Sequence, residues 1–189
     1  MSDVVKYTYL DTSALMRRAE GIARTTTARN AKIAPVLGGI FSDPTRKFGC
    51  SELGLLEFHN TITTNLRSNV NSDWDFQWWN DARQELLEDI SSGKFTVLPT
   101  PPKYAEHVMS LVTLATQEHG RALRAWDAMH AVIAGRWSYE LSADVVILTS
   151  DDDFDKALAV TNFGNRVTFE NLDVLASTGE GLDSRSTSS

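Results

Sequence analysis

A single cysteine, Cys50, stands in the 189-residue chain. An internal disulfide is therefore excluded, and a reducing, cytoplasmic setting is expected. Cys50 lies in a short apolar stretch and reads as a small core residue rather than a nucleophile. No apolar run is long enough to span a bilayer, so no membrane association is expected. The opening Met1-Ser2-Asp3-Val4-Val5-Lys6 lacks the basic start and apolar stretch of a signal peptide. Positive charge is also scarce: 18 Lys and Arg against 25 Asp and Glu give a net charge of −7. That balance argues against nonspecific coating of nucleic acid. It leaves a nuclease open, because acids gathered round a metal contribute to the negative sum and bound cations offset it. No glycine-rich phosphate loop of the Walker type is present. His59, His107, His119 and His130 lack a paired metal-ligand spacing such as His-Glu-x-x-His.

What is present fits one ordinary domain. The length allows a sizeable core. Hydrophobic residues make up 42% and charged residues 23%, both usual for a globular protein. Residues 4–10 read as a strand ending at Asp11, with Thr12 or Ser13 as N-cap of the next helix. A helical pattern over about 28–41 is expected to end at Gly38-Gly39. Residues 48–51 read as a short buried strand. Leu53, Leu56, Glu57, Asn60 and Thr64 then recur at helical spacing. Further helices are expected over about 75–90, from the prolines at 99–102 to His119-Gly120, and around Asp127 to near Ser138. Strands are expected at 95–98, 144–148 and 166–169, with a short helix before the last. Strands alternating with helices imply a parallel sheet covered on both faces, with sites at the carboxyl ends of the strands. The domain is expected over 1–175, followed by a flexible polar tail over 176–189.

Four segments carry acids beside apolar runs, poor places for an unpaired charge. They are Tyr9-Leu10-Asp11-Thr12-Ser13-Ala14-Leu15, Ser51-Glu52-Leu53-Gly54-Leu55-Leu56-Glu57, Ala125-Trp126-Asp127-Ala128-Met129-His130-Ala131 and Leu148-Thr149-Ser150-Asp151-Asp152-Asp153-Phe154. Asp11 alone would pass as a helix cap, as would one of Asp151, Asp152 and Asp153. Glu57 and Asp127 lie inside helices, where neither capping nor turn chemistry accounts for them. No basic residue stands in the four segments to match these acids, so a divalent metal is the expected counter-charge. Mg²⁺ and Mn²⁺ prefer oxygen ligands, and two such ions roughly 3.5–4 Å apart can position a water and stabilise a leaving oxygen on phosphorus.

In this order and context the four segments resemble the motifs of PIN domains, small metal-dependent ribonucleases. The closest resemblance is to the toxin half of VapBC-type toxin–antitoxin pairs, and it covers roughly residues 5–170. It implies a three-layer α/β/α sandwich with a central, mainly parallel sheet. It implies Asp11, Glu57, Asp127 and Asp151 as metal-binding and catalytic acids, with Asp153 as an accessory acid. Thr12, Ser13 and Thr149 match small hydroxyls bordering such sites. It further implies Mg²⁺ or Mn²⁺ as cofactor, RNA as substrate, a cognate antitoxin that inserts an arginine among the acids, and a homodimer. The extra length between Glu57 and Asp127 departs from compact members.

Other features read as structural. Trp74, Phe76, Trp78 and Trp79 fit packing on the core or a dimer face better than base stacking. His130, one turn from Asp127, has the spacing to touch the site but reads rather as packed or solvated. Arg17, Arg18, Arg24, Arg29, Lys32, Arg46 and Lys47 crowd the first quarter, and Arg121, Arg124 and Arg136 flank Asp127; all read as solvated helix faces. Glu52 reads as a surface acid. Three rivals remain: a non-catalytic PIN-like RNA-binding or regulatory module, a phosphatase with Asp11 as nucleophile, and a plain structural domain. The phosphatase would want a second Asp at position 13, which is Ser.

Overall fold

The computed structural model describes residues 5–22, 28–68, 76–120, 123–152, 154–159 and 166–178. Asp153, Trp74, Arg24 and Arg121 lie outside them, as do residues 179–189. The elements run β1 (Lys6–Leu10), α1 (Thr12–Ile22), α2 (Ala28–Ser42), β2 (Arg46–Ser51), α3 (Glu52–Ser68), α4 (Phe76–Ser91), β3 (Phe95–Leu98), α5 (Tyr104–His119), α6 (Ala125–Leu141), β4 (Val145–Thr149), α7 (Phe154–Ala159), β5 (Val167–Asn171) and α8 (Leu172–Thr178).

The strands pair in the order β3-β2-β1-β4-β5, and every pairing is parallel. Alternate side chains feed two cores, as the period of a strand requires. Leu10, Phe48, Cys50, Phe95 and Leu148 pack with α1, α2, α3, α4 and α8 on one face. Tyr9, Leu98, Val145, Ile147 and Val167 pack with α5, α6 and α7 on the other. The result is the expected three-layer sandwich. From β1 the chain winds outward to β2 and β3, and later returns to place β4 on the other side of β1. The strand order therefore reverses between β1 and β4, where a crevice opens at their carboxyl ends. Leu10 stands opposite Leu148, so Asp11 and Thr149 leave the sheet side by side.

Four expectations need correction. Gly38-Gly39 does not end α2, which continues to Ser42. Neither glycine has a positive φ; buried Ile40, with Phe41 against Phe48 and Phe95, holds the last turn on the core. The chain stays folded past residue 176, because α8 reaches Thr178. Leu172 is buried, Leu175 and Ala176 pack on the core, and Asn171 Oδ1 accepts the N–H groups of Asp173 and Val174. The cap of α1 is Asp11 rather than Thr12 or Ser13, since Asp11 Oδ1 accepts the Ala14 N–H at 2.7 Å. The basic first quarter is not uniformly solvated. The guanidinium of buried Arg18 lies 4.8 Å from the Phe41 ring and 4.9 Å from the Phe95 ring, and pairs with Asp89 and Glu85.

Cys50 is buried, and burial pushes its thiol up to about 12, as suits an inert core residue. Trp78 is buried against the first core and Trp79 packs on its edge, while Phe76 stays 72% exposed. Among the described residues no helix is long and apolar enough to cross a membrane.

Candidate active site

The crevice at the strand reversal is a cavity of about 350 Å³. Asp11, Glu57, Asp127 and Asp151 all line it, together with Thr12, Ser13, Arg17, Glu20, Arg124 and His130. Four acids from four separate segments thus face one space. Asp11 arrives on the end of β1, Asp151 two residues beyond β4, Glu57 from the second turn of α3 and Asp127 from the first turn of α6. Glu52 is exposed, as expected, and accepts the Thr100 N–H at 3.4 Å.

Each acid is already engaged. Asp11 Oδ2 accepts from Thr149 Oγ1 at 2.7 Å, and Ser13 Oγ lies within 2.8 and 3.0 Å of the two carboxylate oxygens. Ser13 in turn accepts the Ser150 N–H at 2.7 Å, which ties the start of α1 to the end of β4. Glu57 Oε2 accepts from Thr12 Oγ1 and, at 3.3 Å, from His130 Nε2. Arg124 Nε donates to Asp127 Oδ2 at 3.0 Å, and its other arm pairs with Asp151. Among the described residues, no three acids, histidines or cysteines stand close enough, as their side chains lie, to share one ion. The donor set nonetheless has the chemistry a hard dication takes. It consists of carboxylate and hydroxyl oxygens on a water-accessible cavity, which suits an ion that keeps several waters.

Two neighbours of the site were expected to be structural or solvated instead. His130 is neither idly packed nor solvated. It is 2% exposed, shares a 2.7 Å hydrogen bond with the Tyr9 hydroxyl through Nδ1, and reaches Glu57 through Nε2. The Tyr9 oxygen also lies 3.0 Å from Ser51 Oγ, and Ser51 accepts the Gly54 N–H. The helical spacing Asp127 to His130 was the available signal. The second is Arg124. No basic residue lies within the acidic segments, but Arg124 directly precedes the third and sits three residues before Asp127. It therefore belongs to the site, although its side chain stands in solvent.

Electrostatics divide the acids. Burial raises the pKa of Asp11, against the opposing effects of His130, Thr149, Ala14 and Ser13. Burial also pushes Glu57 upward, but hydrogen bonds from His130 and Thr12 outweigh it and hold the carboxyl below its ordinary value. The signs of linkage follow. The Asp11 contribution is most favourable below the ordinary Asp range and is lost as pH rises through its raised pKa. The Glu57 contribution is present above the ordinary Glu value and is lost as pH falls through its lowered pKa. Near neutral pH and without metal, Asp11→Asn is expected to raise the melting temperature and Glu57→Gln to lower it. Thermal melts in chelator check both, and the same sign for the two variants would contradict this assignment.

Gly54 offers a more local test. A Cβ there would lie 3.0 Å from Ser51 Oγ and 3.1 Å from His130 Cε1, so the imidazole would have to yield. Gly54→Ala in α3 gains up to about 1 kcal/mol of helix propensity, which offsets the crowding. The variant is expected to melt within a few degrees of the parent yet lose up to about tenfold in activity through displacement of His130.

No protein-family model matches the chain, and no curated protein matches it by sequence. Solved structures do resemble it. FitAB bound to the IR36 DNA fragment superposes with a TM-score of 0.55 at 18% identity, covering 88% of this chain and 95% of that one. PAE2754 from Pyrobaculum aerophilum gives 0.47 at 20% identity, over 94% and 97% of the two chains. VapBC2 from Rickettsia felis, bound to a DNA fragment from its promoter, gives 0.49 at 12%, over 87% and 98%. The chain has the PIN-like fold, a five-stranded parallel sheet between two helical layers.

Proposed function

We propose that this chain is a divalent-metal-dependent endoribonuclease and the toxin of a toxin–antitoxin pair. The observation that carries the reading is that Asp11, Glu57, Asp127 and Asp151, from four separate segments, line one cavity at the strand reversal of a PIN-like sheet. Asp11, Glu57, Asp127 and Asp151 would hold Mg²⁺ or Mn²⁺, with Asp153 as accessory acid. The ion would supply Lewis acidity toward the scissile phosphate and activate a water for attack.

The remaining work falls to the chain's own groups. Ser13 and Thr149 orient the Asp11 carboxylate by donating to its oxygens. Thr12 and His130 do the same for Glu57, and Tyr9 fixes the imidazole from behind. Glu57, held ionised by these donors, would stay an anionic oxygen donor for the ion. RNA is the substrate in this reading, an antitoxin the protein partner, and a homodimer the working assembly. The structural neighbour FitAB carries a two-part name and was solved with DNA, which is in keeping with a partnered toxin.

One observation favours a second reading, a PIN-like module without turnover: every acid already has an internal donor, and Asp127 and Asp151 share Arg124. Cleavage assays with Mg²⁺ or Mn²⁺ on structured and single-stranded RNAs, with and without chelator, separate the two. Chelator-sensitive cleavage supports the nuclease. Binding of RNA without cleavage under all metal conditions supports the module.

A further inference from the structure

Arg124 is fixed at its backbone and exposed at its side chain. Its backbone is the N-cap of α6, extended at φ −68° and ψ 141°, and its carbonyl accepts the Ala128 N–H at 3.1 Å. Its side chain is 61% exposed, whereas the side chains of Asp127 and Asp151 are only 12% and 26% exposed. The guanidinium thus bridges two half-buried acids from the solvent side. Its contacts with Asp127 and Asp151 fall on their Oδ2 atoms, carboxylate oxygens of the kind a divalent ion takes. A guanidinium on those oxygens opposes a dication there, because their charges repel and the arginine already occupies lone pairs a metal would use.

We infer that Arg124 is a displaceable internal cation: it neutralises Asp127 and Asp151 until a divalent ion takes them, and its freed guanidinium then binds a phosphate of the RNA. The inference rests on the nuclease reading above. Release needs only rotation of the side chain, since the backbone is fixed by α6. Once released, the guanidinium remains tethered at the rim of the cavity. There its planar donors suit the bidentate grip of a phosphate. The exchange balances charge at each stage. The acids are partly neutralised while empty of metal, and the arginine acquires a new anion when the metal evicts it. An ion pair whose arginine stands in solvent is more readily displaced than one buried on both sides.

Two binding measurements test this. Mn²⁺ is titrated by calorimetry into the wild-type chain, Arg124→Ala, Arg124→Lys and Asp127→Asn. Binding of a fluorescent single-stranded RNA is then followed by anisotropy with Ca²⁺ bound. Arg124→Ala is expected to bind Mn²⁺ about three- to tenfold more tightly and the RNA about three- to tenfold more weakly. Arg124→Lys should recover part of the RNA binding, since it keeps the charge without the fork. Unchanged or weaker Mn²⁺ binding by Arg124→Ala overturns the competition, and unchanged RNA binding overturns the handover to phosphate. If Asp127→Asn binds Mn²⁺ as tightly as wild type does, the metal assignment itself fails and the inference falls with it. Wild-type circular dichroism for each variant ensures that the changes are read on folded protein.

Discussion

Asp11→Asn and Asp127→Asn should each reduce divalent-metal-dependent RNA cleavage by at least about 100-fold. Removing a partner that merely orients a metal ligand already costs about 10–100-fold, so removing a ligand carboxylate belongs at or beyond the top of that range. Asparagine is the right replacement at position 11 because the residue has two duties. Its Oδ1 caps α1 through the Ala14 N–H, and an amide oxygen performs that duty as well as a carboxylate oxygen does. The Ser13 and Thr149 hydroxyls can rotate to accept from the new amide. The helix start therefore survives while the charge is lost. Alanine would remove both and cost about 1 kcal/mol for the cap alone. Asp127→Asn removes one of the charges that hold Arg124, while its pairing with Asp151 is kept. Initial cleavage rates at saturating Mn²⁺, with melting curves on the same preparations, make the measurement. Cleavage that survives both substitutions in folded protein would place the chemistry elsewhere.

The fold was legible because its signals are local and repeated. Apolar β-branched runs ending in polar residues marked β1 and β4, and each was followed by a helical pattern. Their alternation implied a parallel sheet, which in turn directed attention to strand ends. Asp11 and Asp151 were found in that way. The glycine pair at 38–39 misled because local propensity is a weak determinant beside packing. Ile40 and Phe41 bury against the sheet, and this outweighs the cost of two glycines in a helix. The helix α8 escaped because its pattern is short, and its start depends on Asn171, a strand residue that doubles as a cap.

The site was legible in its acids and hidden in its cations and relays. Acids beside apolar runs violate a simple rule about burial, and such violations can be seen in a sequence. The partners that resolve them come from distant segments. Tyr9 meets His130 across 121 positions, and Thr149 meets Asp11 across 138. No spacing rule reports such pairs. Arg124 was visible but read as surface, because an arginine at a helix start has no local mark that separates a solvated side chain from a bridging one. With these partners placed, the acids become a site that is internally neutralised and already oriented. That property separates this pocket from a bare acidic cluster.

The helix α6, which carries both Asp127 and His130, meets the sheet partly through Trp137, and the closeness of that contact makes the second large prediction. Gly49 on β2 faces the Trp137 ring, and a Cβ there would come within 2.8 Å of Cη2 and 2.9 Å of Cζ3. The ring cannot easily withdraw, since it is buried and lies edge-on to Tyr7 at 5.7 Å between centroids. Trp137→Ala is expected to cost about 3–5 kcal/mol through the cavity it opens. Gly49→Ala is expected to cost about 1–3 kcal/mol through overpacking. The two effects should not add. In a Trp137→Leu background the smaller side chain leaves room for the new methyl, so Gly49→Ala should then cost less than about 1 kcal/mol. A denaturant double-mutant cycle on Gly49→Ala and Trp137→Leu measures the coupling. A coupling near zero would mean that the tryptophan does not set the distance between α6 and the sheet. A large coupling accompanied by loss of cleavage in Gly49→Ala alone, regained in the double variant, would tie the placement of Asp127 and His130 to this contact. The candidate site would then depend on a glycine that does not line it.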